Sequence, residues 1–340
     1  MKGHLVMNIK NYKEGMTIQA PCAIRGMPID VYHKHPALSE SGLKTLLDCP
    51  ARYYYKYLSG DYEPKEKPSF KIGKACHKYI LEGEDAFYKE YWHNPYSDLT
   101  KAELVRILQD KFGYDCTIKN YPVCDLMDML LTSEGIEQKA IHLNSNELNQ
   151  VVGTARAIKQ NKKAYNAFHQ KGESEVSLFW VDEETGLMLK CRPDFLPADH
   201  KLVPDYKTCQ SVNPEKFYGD FITYGYHIEA AMYMKGIKAV FGDDVETFFF
   251  VAQEKEPPYI TQVYVPDNAI IIYGDKAVRL GIEKFIECQH TGVWETYSDQ
   301  VIEMTIEPKP DDMLNNFDKE NSICYAPFWV DKMITKYEVY

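Results

Sequence analysis

The chain has 340 residues, 45% of them apolar and 26% charged, with a formal net charge of −11. That balance supplies a sizeable core and excludes a disordered, collagen-like or low-complexity chain. No window approaches the ~20 consecutive apolar residues of a membrane span, and MKGHLVMNIKNYKEGM lacks the apolar centre of a signal peptide, so we expect a folded cytoplasmic protein with no membrane partner.

Single cores stop growing near ~250–300 residues, which favours one core carrying an insertion. The nine cysteines are scattered without CxxC spacing and read as reduced thiols packed as small hydrophobes, not as a zinc or iron–sulfur site. Charge is uneven: residues 1–80 hold thirteen Lys or Arg against seven Asp or Glu in a chain that is acidic overall. A basic N-terminal part suits contact with a polyanion on one side, and chance asymmetry on a solvated surface gives the same count.

In chain order, residues 1–37 are short apolar pieces broken by Pro21, Gly26, Pro28 and Pro36, a strand-and-loop lead-in. Residues 38–98 carry helices. LSESGLKTLLDCPARYYYKYL has Ser39 or Ser41 as N-cap and Leu43, Leu46 and Leu47 at helical spacing, with Pro50 as an end or a fresh start. Arg52 and Lys56 lie among Tyr53, Tyr54, Tyr55 and Tyr57, a mixture that suits stacked bases and phosphates and equally suits a helix packed on a core. FKIGKACHKYILEGE predicts a helix with Ile72, Cys76, Tyr79 and Ile80 on its apolar face.

Residues 99–170 stay helical, through KAELVRILQDKFGYD, CDLMDMLL and a stretch ending in AIKQNKKAYNAF, and read as a helical insertion or cap. Residues 171–300 then turn strand-rich. EVSLFWV, LMLKCRPDFL and KLVPDYK, separated by DEETG and PADH, predict a three-stranded antiparallel meander. Two helices follow to residue 242, then a strand pair in VETFFFVAQEKEPPYITQVYVP, then an amphipathic helix ending at QHTG. Residues 301–340 form a tail expected to pack on the core. The order gives an α/β protein whose mixed central sheet is flanked by helices and elaborated by a helical insertion.

The chemistry concentrates in RPDFLPADHKLVPDYKTC. Side chains two apart share a strand face, so Asp205 and Lys207 lie together while Tyr206 points to the opposite face. In the expected meander Asp194 lies opposite or diagonal to Asp205. Adjacent carboxylates repel unless a hard cation such as Mg²⁺ or Mn²⁺ sits between them, and the lysine would then serve the attacking water or the phosphate. A solvated hairpin with a surface Asp–Lys pair is the bland alternative. Glu175 opens the first strand of the meander and brings a third carboxylate. Gly73 and His77 stand one helical turn apart, so a ring nitrogen can join the site where Gly73 leaves room for close approach. In YGYHIEAAMYM, Glu229 and Tyr233 are one turn apart on the next helix, their polar tips placed to brace the lysine or meet phosphate.

In their order, G-x-x-x-H (Gly73 to His77), Glu175, P-D (Asp194), D-Y-K (Asp205 to Lys207) and the Y-H-x-x-A-A-x-Y helix (Tyr226 to Tyr233) resemble the PD-(D/E)XK nucleases. Within them the chain is similar to the RecB-like branch and to the RecE-type exodeoxyribonucleases often carried by phages. L-S-x-S-x-L-x-x-L-L-x-C-P (Leu38 to Pro50) and G-V-W-x-x-Y-S near residue 297 are shared as well, so the similarity runs from about 38 to 300.

The resemblance implies a restriction-endonuclease-like core. His77, Asp194 and Asp205 would bind Mg²⁺, with Mn²⁺ as substitute, and the Tyr206 carbonyl would complete the shell. Lys207 would orient the water and Glu175 would support the metal. Gly73, Tyr226, Glu229, Tyr233, Arg52 and Lys56 would support the site or bind DNA. One position departs: the family helix has Q-x-x-x-Y, and this chain has Glu229, which when ionised donates no hydrogen bond and repels phosphate.

The implied activity is resection of linear double-stranded DNA from its ends, exposing a 3′ strand for an annealing protein, by a homo-oligomeric ring in a bacterial or phage-infected cell. An endonuclease or single-strand-specific nuclease on the same fold fits the motifs too, as does a catalytically silent DNA-binding or interaction protein. Nucleotide chemistry is not expected. SFKIGKA lacks the first glycine of a phosphate loop and has Ala75 where Ser or Thr is needed, and no G-x-G-x-x-G occurs.

Overall fold

The computed structural model describes residues 8–63, 68–136 and 141–297; the tail expected over 301–340 lies outside the described residues. The strands that build the site are β1 (Cys22–Arg25), β2 (Ser177–Val181), β3 (Met188–Cys191), β4 (Leu202–Cys209), β5 (Thr247–Glu254) and β6 (Thr261–Tyr264). β2 and β3 form the expected antiparallel hairpin, with Val181 opposite Met188 and Leu178 opposite Cys191. β1 joins the free edge of β2 antiparallel, and Leu38–Ser39 joins β3 parallel. β4 runs parallel to β5, with Asp205 beside Phe250 and Lys207 beside Ala252, and β6 returns antiparallel to β5.

β4 is therefore not the third strand of a meander. The two helices between residues 214 and 241 give the long crossover that a parallel β4–β5 pair needs. Pro204 confirms the placement, since a residue without N–H is tolerated in an edge strand, and β4 is the edge of its sheet.

Both faces of β4 are covered, so its alternation is chemical. Val203 and Cys209 join a cluster with Ile228, Met232 and Ile237 of helix α5 (Tyr226–Phe241), and Asp205 and Lys207 share their face. Tyr206 enters a second cluster, packed by Ile72 and Cys76 of α3 (Pro68–His77) and by Val151 and Ala155 of α4 (Ser145–Ile158). Ahead of these, α1 (Glu40–Asp48) is capped by Ser39, whose hydroxyl accepts from Gly42 N–H, and Pro50 starts the separate helix α2 (Pro50–Tyr57).

The helices Lys101–Phe112 and Val123–Ser133 close on an apolar centre of their own, Leu104, Leu108, Ile118, Leu126 and Leu130. By contrast, α4 belongs to the cluster around Tyr206. The long helix α6 (Asn268–Thr291) packs on α5 and α1, and no helix among the described residues is long and apolar enough to cross a membrane.

The α5–α6 crossing depends on Gly274, where an added Cβ would stand 2.1 Å from the His227 carbonyl oxygen. Backbone cannot yield as a side-chain tip does, so Gly274→Ala is expected to destabilise the fold by roughly 2–3 kcal/mol. Urea denaturation would show this as a lower midpoint at unchanged slope.

Candidate metal and phosphodiester site

The hairpin does not end at β2 and β3. Beyond a break, Gly172–Ser174 pairs antiparallel with Phe195–Pro197, so the same two chain segments form one hairpin interrupted in the middle. The break holds Glu175 on one arm and Asp194 on the other. Glu175 adopts a left-handed backbone at φ 56°, costly for a residue with a Cβ, and its N–H donates to the Asp194 carbonyl at 3.1 Å. Interruptions of this kind re-aim side chains, and here they aim two carboxylates at the C-terminal end of α3. His77, Glu175 and Asp194 each offer a donor atom, all within 4.8 Å of one another.

Asp194 also ties the hairpin to β4: its Oδ2 accepts the Tyr206 backbone N–H at 2.7 Å and lies 3.6 Å from His77 Nδ1. The His77 ring packs edge-on against the Tyr206 ring at 4.9 Å. Tyr206 is fixed in turn through its hydroxyl, which donates to Gln253 Oε1 at 2.8 Å, while Gln253 Nε2 donates to the Thr154 carbonyl at 2.9 Å. Gln253 was not singled out in the sequence, although a lone amide in the apolar run FFFVAQE was its signal.

On the other face of β4, Lys207 Nζ lies 2.5 Å from Asp205 and 2.7 Å from Glu229 Oε1. The second Glu229 oxygen receives Lys44 Nζ, from α1, at 2.6 Å. Both ammoniums also face the Tyr226 ring, at 5.0 and 5.7 Å from its centre. Glu229 therefore braces lysines.

Tyr233 is buried beside Phe248, one turn further along α5, and Gly73 turns its backbone toward Thr208 of β4. Arg52 and Lys56 are placed elsewhere: Arg52 meets Asp48 and the Tyr297 ring, and Lys56 meets the Tyr57 ring. Asp205 lies outside the three-residue donor group, one strand position from the Tyr206 backbone that Asp194 holds.

Residues 39–305 match the family described as PDDEXK-like domain of unknown function (DUF3799). The chain belongs to that PDDEXK-like family. Its α/β architecture, with mixed sheets and flanking helices, is the restriction-endonuclease-like core. Among solved structures the chain is similar to an Eubacterium rectale protein described as "Putative exonuclease", with a TM-score of 0.53 at 15% identity over 86% of this chain and 97% of that one. An alkaline exonuclease from Laribacter hongkongensis aligns over 57% of this chain and 91% of its own at 17% identity, with a TM-score of 0.24, too low to bear on the fold. No curated protein matches the sequence.

The donor set of this PDDEXK-like site suits a divalent cation. Asp205 is 1% exposed, and the cation beside it, the Lys207 ammonium 2.5 Å from Oδ2, is shared with Glu229. With Glu175 and Asp194 close by, the carboxylates outnumber the ammoniums, a balance that a further cation would redress. Imidazole and carboxylate together suit Mn²⁺, and the carboxylates alone suit Mg²⁺.

Burial and neighbouring charge set the proton affinities of these groups. Burial and then Asp194 push Asp205 well above the usual carboxylate range, with Lys207 opposing. Burial lowers the His77 imidazole, with Asp194 opposing. Burial also works to raise Glu229, but Lys207 and Lys44 overcome it and hold that carboxyl far below the ordinary range. Glu175 is pushed from 4.5 to about 8, by burial and then by Asp194.

Between those two values the folded metal-free chain keeps a proton on Glu175 that the unfolded chain has released. Stability therefore falls as pH rises through that window. Glu175→Gln is expected to remove roughly 2–4 kcal/mol of that decline, measured as urea melts at pH 5, 6.5 and 8 in chelator. Mg²⁺ or Mn²⁺ added to the unsubstituted chain is expected to recover most of the stability at pH 8, because cation binding favours the ionised carboxylates.

Proposed function

We propose that the chain is a divalent-metal-dependent deoxyribonuclease, acting as an exonuclease on the ends of linear double-stranded DNA. The observation that carries this reading is the Lys207 ammonium, clamped between Asp205 and Glu229 on the strand whose next backbone N–H is held by Asp194 of the His77–Glu175–Asp194 group. A divalent cation held by His77, Glu175 and Asp194, with Asp205 beside it, would supply an activated water and offset charge on the phosphate.

The chain's own residues then have distinct tasks. Lys207 has three donors, of which Asp205 and Glu229 take two, leaving one for the nucleophilic water or a phosphate oxygen. Tyr206, anchored by Gln253, positions His77 by ring contact and holds Asp194 through its backbone N–H. Glu229 cannot serve as the phosphate ligand that a glutamine would be, and its two lysines cancel the repulsion its charge would cause.

The description of the Eubacterium rectale neighbour supports exonuclease chemistry, and membership of the PDDEXK-like family supports phosphodiester hydrolysis. Exposure of a 3′ strand, assembly into a ring, hand-over to an annealing protein and kinship with RecE-type enzymes are the finer part of the proposal, supported by the ordered motifs between residues 38 and 300.

Asp205→Asn and Lys207→Met are each expected to slow Mg²⁺-dependent degradation of linear duplex by about 100-fold or more while leaving the circular-dichroism spectrum unchanged. Undiminished hydrolysis by both variants would refute the assignment. Linear, nicked and closed circular duplexes, labelled separately at each end, give the mode: loss of linear DNA alone supports an exonuclease, and loss of closed circles identifies an endonuclease.

A further inference from the structure

The charged face of β4 is reached, through Glu229, by one residue that the motif set does not include. Lys44 sits on α1, Glu229 on α5 and Lys207 on β4, and the three side chains form a chain of alternating charge. Each Glu229 oxygen has its own ammonium, at 2.6 and 2.7 Å, and the Glu229 side chain is 9% exposed. Lys44 itself is 22% exposed and turned inward: its aliphatic carbons pass beside Gly225, and its ammonium faces the same Tyr226 ring as that of Lys207.

We propose that Lys44 is a positioning residue that holds Glu229 centred between two ammoniums, so that Glu229 steadies the Lys207 ammonium instead of capturing it. The inference rests on the nuclease reading above and adds to it how this chain uses a carboxylate on the α5 helix. Without Lys44, three carboxylates at positions 194, 205 and 229 act on the single Lys207 ammonium. A buried carboxylate that loses one of two cations draws the remaining one closer, and Lys207 then turns its donors to Glu229 instead of the substrate water. The need for Lys44 arises from the charge on Glu229, so removing that charge removes the need.

The test uses the full chain, Mg²⁺ and an end-labelled linear duplex. Lys44→Met is expected to lower kcat roughly tenfold with KM for DNA unchanged, since the defect lies in positioning and not in binding. Glu229→Gln added to Lys44→Met is expected to restore most of that loss, a non-additivity that a merely structural lysine would not give. Lys44→Arg, which keeps the cation, is expected to stay within about threefold of the unsubstituted chain.

A raised KM at constant kcat that Glu229→Gln does not repair would place Lys44 on the DNA backbone and overturn the proposal. Full activity of Lys44→Met would overturn it too. Should Lys44→Met show no melting transition, the double variant decides: near-normal kcat supports the coupling, and a loss unrelieved by the glutamine overturns it. An unsubstituted chain inert toward every DNA form in both Mg²⁺ and Mn²⁺ overturns the nuclease assignment and this proposal together, an outcome distinct from an active enzyme indifferent to Lys44.

Discussion

A single hydrogen bond, from the Tyr206 backbone N–H to the Asp194 carboxylate Oδ2, ties the two halves of the site together. It joins a hairpin arm to an edge strand of a different sheet, a connection that no ladder supplies. Because the bond fixes the Tyr206 backbone, strand alternation fixes everything on either side. The Tyr206 ring goes to the apolar side, where it packs on His77, and the Asp205 and Lys207 side chains go to the face covered by α5. The left-handed Glu175 is the counterpart on the other arm, opening the hairpin so that Asp194 has room to turn toward β4.

The charges divide along that strand. Around Asp194 the carboxylates outnumber their cations: Asp205 shares its one ammonium with Glu229, and Glu175 is pushed up to about 8. Around Glu229 the carboxylate is shared by two ammoniums and is held ionised. One end thus carries an excess of negative charge, the condition that favours a bound cation, while the other is neutralised within the protein. A phosphodiester brings negative charge and needs both kinds of surroundings, a place for cations and a lysine whose direction does not change.

Much of this was legible in the sequence where the signal is local. The spacing of Asp205, Tyr206 and Lys207 states their faces directly, the Ser39 cap and Pro50 mark the first helices, and the strand–turn–strand pattern around DEETG gives the β2–β3 hairpin. The order of motifs from Gly73 to Tyr233 identified the family that residues 39–305 match. The meander failed because strand order is not local: KLVPDYK has the same apolar alternation whether its neighbour is Met188–Cys191 or Thr247–Glu254, and the length of the crossover decides. Pro204 was the clue that β4 would have an incomplete edge. Lys44 was hidden for a different reason. On its own helix it reads as a solvated lysine among leucines, and only the approach of α5, 185 residues later, gives it a partner.

The incomplete edge of β4 also bears on how the chain behaves in company. An exposed strand edge invites pairing with another chain, and proteins commonly block such edges with proline, charge or cover. β4 uses two of these in succession, since Pro204 offers no donor and the donor of Tyr206 is occupied by a carboxylate. The aspartate that lines the candidate site thus also closes a route to strand-by-strand aggregation. One Asp194 oxygen serves both the His77 side of the site and the free edge of β4, so a substitution there would open both at once.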